Sequence, residues 1–351
     1  MRFLLDTEQR EFGRTLAALL GATDVPAAAR AWAGGEPASA RALWRRVADT
    51  GLVTLAVPEE CDGVGERPVE LAVAFEELGR HAVPGPYVET VAAAALCAAL
   101  AGTGATKDLL RGLLTGDALA TLGVPGGGPY LLDADAADTL LVVDAGNAPA
   151  DPWTLRSAPG HGPVHPGLDA ARRHARPLPG GDVLATGRAV REAAAHAAAL
   201  ARLATAAQAL GVGRALLERT VDHVRRRTQF GTPVGAFQAV KHRLADTLVA
   251  LEFARPLVLG AALTMRPADL AAAKVAAGEA AYTAARTALQ LHGALGYTAE
   301  FDLSLWLMKA RALRGAWGTP GECRAQVLAA RDGSAACGRV RPEVPHDRGQ
   351  R

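Results

Sequence analysis

The stretch Arg225-Arg226-Arg227-Thr228-Gln229-Phe230-Gly231-Thr232-Pro233, followed closely by Phe237-Gln238, closes one long helical run and opens the next. An arginine run at a helix C-terminus is an ordinary complement to the helix dipole, and Gly231 is an ordinary terminator. A Phe-Gly turn seven residues before a second Phe-Gln pair is a less ordinary signature. Upstream, the pattern predicts a helix over 188–226. Downstream it predicts helices over 237–264, with a kink at Pro256, then over 268–291 and 320–331. Four long helices with short connections predict an antiparallel bundle over residues 187–335. Within it, Gln290-Leu291-His292-Gly293-Ala294-Leu295-Gly296-Tyr297 is a glycine turn between helices. As a loop it is ordinary; its sharper reading is a turn whose bare backbone N–H groups can approach a pyrophosphate closely.

Residues 118–186 change character. Short apolar bursts at 118–124, 130–132, 139–143 and 182–185 alternate with Gly, Pro and Asp, which is strand-and-turn text. The segment from Gly146 to Pro166 is so rich in Pro, Gly and Asp that it predicts extended loop, leaving a reduced middle β-domain. Residues 1–117 are helical again. Phe12, Leu16, Leu19 and Leu20 recur at helical spacing behind an N-cap at Asp6-Thr7, with Glu8 in the first turn. Further helices are predicted over 38–50, 68–79 and 88–100, with a loop from Val57 to Gly65. Residues 336–351, polar from Pro342 onward, predict a flexible tail. The expected fold is therefore mainly α with a small β-domain.

Half of the 351 residues are hydrophobic, enough for a large core and too many for a disordered polymer. Abundant alanine with only 5% aromatics favours closely packed helices over sheets. With 38 basic against 36 acidic side chains, the net charge of +2 gives no reason to expect a nucleic-acid partner. Cys61, Cys97, Cys323 and Cys337 form no C-x-x-C pair, so reduced thiols are expected and neither a metal site nor a disulfide framework. The first residues carry acids where a signal peptide needs an apolar stretch. The longest apolar run, Val91 to Ala101, is too short for a membrane span, and a cytoplasmic location is expected.

The Arg225–Gln238 and Gln290–Tyr297 segments, in this order and about sixty residues apart, resemble the acyl-CoA dehydrogenase family. Leu43-Trp44 through Gly51-Leu52, Val57-Pro58-Glu59-Glu60 and Glu76-Glu77-Leu78-Gly79-Arg80 are similar to that family's N-terminal helical domain. The resemblance covers nearly the whole chain. It implies a helical domain, a β-domain, a C-terminal four-helix bundle, FAD held at a subunit interface, and acyl-CoA thioester substrates. By this resemblance Arg227, Gln229, Phe230 and Gln238 fall at positions that reach across to the neighbouring subunit's FAD. Gln290, Gly293 and Ala294 match the glycine-turn contacts to the same cofactor, with Ala294 where the family has a second glycine. Thr319 falls at a further cofactor contact, and Arg202 at an arginine beside the substrate pocket.

The resemblance also marks what is missing. The family's reaction removes an α-proton from the thioester while hydride leaves the β-carbon, and a carboxylate must stand at the α-carbon. The usual glutamate precedes a Gly-Thr pair about two dozen residues after the glycine turn; here Trp317 precedes Gly318-Thr319. Other members carry the glutamate one residue before the arginine matched by Arg202; here that residue is Ala201. The flavin-facing strand with its Trp and Thr or Ser has no equivalent either, since Trp153 sits in a Pro-rich stretch. Substitute bases are few. Glu322 points elsewhere on its helix, His292 adjoins the glycine turn, and Glu192 and His196 share a helix face where they could pair. Asp222 and His223 precede an exposed arginine run and, like the others, read as surface or structural groups.

Three readings follow. The first is a base-less subunit that completes the FAD site of a longer homologous partner in a hetero-oligomer; a homodimer or homotetramer is the other assembly. The second is a stand-alone enzyme of this fold doing base-independent or redox-neutral chemistry on a thioester. The third is a non-catalytic scaffold. The retained segments at Arg227 and Gln290 favour the first.

Overall fold

The computed structural model describes residues 4–102, 104–146 and 152–337, with side chains as far as residue 331. The N-terminal part is six helices: α1 (Thr7–Gly21), α2 (Val25–Ala33), α3 (Ala38–Ala48), α4 (Pro68–Arg80), α5 (Tyr87–Ala99) and α6 (Gly104–Leu114). Asp6 opens α1 with a capping box, accepting from the Gln9 N–H while the Gln9 side chain accepts from its own. Helices α2 and α6 lie where the sequence reading had none; both are short, and α2 depends on Asp24 capping Ala27. Helix α5 is buried on every side from Tyr87 to Ala98, as a helix apolar all round must be, with one charged exception at Glu89.

Seven strands follow: β1 (Ala120–Gly123), β2 (Leu131–Leu132), β3 (Thr139–Asp144), β4 (Thr154–Ser157), β5 (His161–Pro166), β6 (Arg173–Pro177) and β7 (Asp182–Thr186). They form a four-stranded sheet ordered β1-β3-β4-β7 and a three-stranded sheet ordered β2-β6-β5. Among the described residues only β1 and β3 run parallel, with Ala120 opposite Thr139. The expected loop from Gly146 to Pro166 is corrected here, because β4 and β5 lie inside it (residues 147–151 fall outside the described residues). Pairing decides against local composition. Strand β4 is clamped between β3 and β7 with Leu155 buried, and β5 is an edge strand, where Pro163 and Pro166 are tolerated. The inner faces enclose a small core of Leu131, Ala134, Leu140, Val142, Ala158 and Ala175.

The C-terminal part begins with α7 (Arg188–Arg226), followed by a two-stranded turn of β8 (Thr228–Gln229) and β9 (Thr232–Pro233). Then come α8 (Gln238–Thr264), α9 (Pro267–His292), α10 (Leu303–Gly315) and α11 (Pro320–Cys337). Helix α8 runs on through Pro256 as one helix, α10 is an addition to the expected set, and α11 extends six residues beyond Arg331. Most of the tail expected over 336–351 falls outside the described residues. By length and composition α8 is apolar enough to cross a membrane. Here its Leu251, Ala254 and Val258 are buried in the bundle, while Val249, Phe253 and Leu257 face outward.

Two contacts lock the parts together. Helices α4 and α7 cross at Gly79 and Gly211, where a Cβ on either glycine would overlap a carbonyl oxygen of the other helix, Gln208 or Glu76. Lys309 of α10 and Asp169, before β6, form a buried ion pair at 3.0 Å. Truncating Lys309 would leave the buried Asp169 without its cation, a loss of about 3–5 kcal/mol for such a pair. The crossing yields the first prediction. Gly211→Ala forces backbones apart and lowers stability by about 1–3 kcal/mol, read as a fall in the urea midpoint at unchanged slope. An unchanged midpoint would mean that the helices can part without cost.

Candidate functional site

The residues matched by sequence fall into two groups, one at the C-terminal end of α7 and one beside its N-terminal half. The first gathers where α7 stops and α9 ends. Arg227 is the C-cap of α7, its N–H bonded to the His223 carbonyl, and its side chain lines a cavity of about 550 Å³ with Arg219, Arg226 and His292. Gln229 is exposed in the turn, its amide donating to the Thr228 carbonyl at 2.8 Å. Phe230 is 95% exposed at a left-handed φ of 53°, touched edge-on by Phe237. An apolar ring so displayed, on backbone that favours glycine, is held there by the turn rather than by any core. Gln238 is exposed in the first turn of α8.

Gln290, at the end of α9, lines a second cavity of about 530 Å³ with His242, Arg243 and Arg286. Gly293 has φ 61° and open space around it, and Ala294 beside it is exposed. Beyond the turn, Gly296 and Tyr297 border a third, largely apolar cavity of about 720 Å³. The turn that ends α9 is thus the meeting point of three hollows. Guanidinium groups line all three, and such forks bind a diphosphate well.

The second group surrounds Trp317. This residue also has a left-handed φ, 53°, and its indole Nε1 donates to Glu89 Oε1 at 3.0 Å. Arg202 Nε donates to the Trp317 carbonyl at 3.1 Å and Nη1 to Gln326 at 2.8 Å, so Arg202 is engaged in holding the turn. Lys274, almost fully buried, donates to the carbonyls of Leu313, Arg314 and Gly318, closing the open C-terminal end of α10; burial pushes its pKa down to about 8. Ala201 is packed in the core. Thr319 and Glu322 form a capping box at the start of α11. That bond holds the Glu322 carboxyl below its usual range and explains the residue as a cap.

The suggested Glu192–His196 pair is corrected. Glu192 bonds Arg188, and His196 faces Glu66 at 3.1 Å. His223, read from sequence as a surface or structural group, stacks on His292 with ring centres 4.0 Å apart. The residue that sequence reasoning missed is Glu89. It is 4% exposed, and its Oε2 has no hydrogen-bond partner among the described residues. The signal was present, a single acid inside the apolar run from Tyr87 to Ala99.

A helical domain, a small two-sheet domain and a helix bundle carrying these two turns define the architecture of the acyl-CoA dehydrogenases. Models of that family match twice: the N-terminal domain over residues 6–117 and the C-terminal domain over 191–331. The acyl-CoA dehydrogenase IpdE2 of Mycobacterium tuberculosis is 34% identical over 315 residues, covering 86% of this chain and 91% of that protein. The chain belongs to the acyl-CoA dehydrogenase family, a family of flavoprotein oxidoreductases. Among solved structures, the ChsE4-ChsE5 complex from Mycobacterium tuberculosis aligns with a TM-score of 0.76 at 25% identity, covering 98% of this chain and 100% of that one. A glutaryl-CoA dehydrogenase from Mycobacterium smegmatis in complex with FADH2 shares the fold, with a TM-score of 0.80 at 18% identity over 94% of this chain and 95% of that one.

The Trp317–Glu89 bond generates the second prediction. Trp317→Phe leaves Glu89 buried with no partner and destabilises by about 1–3 kcal/mol beyond the change in packing. In a Glu89→Leu background the same change costs at least about 1 kcal/mol less, measured as a double-mutant cycle by urea unfolding. Equal costs in both backgrounds would show that the bond contributes nothing.

Proposed function

We propose that this chain is a subunit of an FAD-dependent acyl-CoA dehydrogenase, α,β-dehydrogenating an acyl-CoA thioester, which lacks a catalytic base and completes the FAD site of a longer homologous partner. One observation carries the reading. At about 1.5 Å per residue, the stretch of α7 from Arg202 to Arg227 is about 38 Å long. Arg227 and the position matched to the base therefore cannot meet around one ligand within this chain, whereas Thr319, also matched to a cofactor contact, lies two residues from Trp317. The Arg227 end is built to serve a second chain.

Bound FAD supplies an acceptor for the β-hydride of the acyl thioester. Toward a partner's FAD, Arg227 offers a forked donor for the diphosphate and Gln290 an amide. Gly293 offers backbone approach without a side chain. Phe230, exposed in its turn, offers an apolar ring to whatever covers it. Trp317 itself contributes no proton acceptor, because an indole N–H only donates and is already bonded to Glu89. Both the flavin ring face and the base are left to the partner. The naming of the similar ChsE4-ChsE5 structure as a complex of two different chains supports this assembly.

The test is co-expression with a longer homologue that carries Glu before Gly-Thr. The expected product is a yellow complex that bleaches anaerobically with acyl-CoA, whereas the chain purified alone is colourless. Arg227→Ala in the complex lowers flavin affinity by roughly tenfold, the weight of one charge-assisted bond, with helix content unchanged. A chain that alone is yellow and bleached by acyl-CoA would sink the reading.

A further inference from the structure

The stacked pair His223–His292 has no part in the function just described. The rings lie 24° from parallel, with centres 4.0 Å apart. His292 is 1% exposed, and its Nδ1 faces the Ala288 carbonyl at 2.9 Å, which places the ring proton there and leaves Nε2 with a lone pair. His223 Nε2 is buried and has no partner among the described residues. Both imidazoles line the 550 Å³ cavity at the end of α7.

The charges around the pair are mostly of one sign. Helix α7 presents Arg219, Arg226 and Arg227 to the cavity, with Asp222 the acid on that face. From the start of α10 comes Asp302, already paired with Arg30 of α2 at 2.7 Å. Arg219 lies over the Trp306 ring and cannot leave it without losing that contact. From the α9 side the facing group is His292 itself. Two neutral rings stacked beside three guanidiniums make a basic hollow, and the His223 Nε2 in it has no partner among the described residues.

We propose that this cavity is a proton-coupled seat for a phosphate or diphosphate oxyanion. As the anion enters beside Arg226 and Arg227, His223 takes up one proton from solvent, and the imidazolium so formed donates to the anion. No covalent bond changes; one proton moves from water to the ring as one oxyanion arrives. In the empty cavity His223 is held down to about 4, by burial first, then by His292, Arg227 and Arg226. Burial also lowers His292. An anion between the rings and the arginines offsets those same charges, so binding and protonation favour each other. The anion has two sources, the diphosphate of a dinucleotide such as a partner's flavin or free phosphate. Only the first rests on the function proposed above.

The experiment uses the chain as purified, without flavin. Two probes keep constant charge across the range: sulfate, and ADP-ribose for a dinucleotide diphosphate. Affinity is followed by calorimetry, and the His223 ring by its NMR titration. The expected result is an affinity that rises about tenfold for each unit the pH falls between about pH 6.5 and pH 5, with His223 titrating higher at saturating anion. His223→Phe keeps a stacked ring that cannot take the proton. It flattens that slope and leaves the affinity near pH 8 within about twofold. Tighter binding of ADP-ribose than of sulfate assigns the seat to a dinucleotide, and equal binding assigns it to free oxyanions. Proton-linked sulfate binding without ADP-ribose binding keeps this seat and counts against the flavin reading. No anion binding, a pH-independent affinity, or an equal slope in His223→Phe overturns the proposal. The wild-type ring titration decides it even where the variant does not fold.

Discussion

Everything in this molecule hangs on how closely α4 and α7 approach. With glycine at 79 and 211, each backbone lies against the carbonyls of the other helix. No side chain stands between them, so the direction of α7 relative to the N-terminal helices is set by main-chain contact rather than by adjustable packing. Helix α7 is 39 residues of unbroken helix, and both groups of interesting residues are attached to it. Arg202 reaches from its N-terminal half to the Trp317 turn, and Arg227 ends it beside the glycine turn. A rigid strut with a fixed seat therefore determines where each end points.

Buried charge does the remaining tying. Lys274 and Lys309 are both almost entirely hidden, and each is satisfied, the first by three backbone carbonyls and the second by Asp169. Lysine is seldom found inside unless paired, and these two sit where helix α10 must end and where the sheet domain must dock. Arg173 adds a third tie, donating to the Trp32 carbonyl and pairing with Asp135. The sheets themselves bury a modest core, so their placement on the helices depends on such bonds more than on apolar area.

The helices that the sequence revealed are those whose ends announce themselves. Asp6 with Gln9 opens α1, the run before Arg227 closes α7, and Pro267 opens α9. Helix α10 repeats Leu303, Trp306, Leu307, Ala310 and Leu313 at helical spacing, but it lies between glycine turns with no side-chain cap to mark its start. Strands β4 and β5 were illegible for a deeper reason: their hydrogen bonds come from other strands, β3 and β7 for the one and β6 for the other, and their own Pro- and Gly-rich text does not encode that pairing. At the site, the arginine and glycine turns could be read from spacing. The Trp317–Glu89 bond joins positions 228 residues apart, and the His223–His292 stack depends on how two helix ends meet.

The bond between Trp317 and Glu89 also bears on history. If an ancestor carried a glutamate at position 317, restoring it today would set a second carboxylate against the buried Glu89. Two such acids cannot both ionise; one must hold a proton, and a base that holds its proton is no base. Recovery of a proton acceptor at 317 would require position 89 to change first or together with it. The substitution behaves as a ratchet, in which the neighbour that accommodates the tryptophan bars the way back.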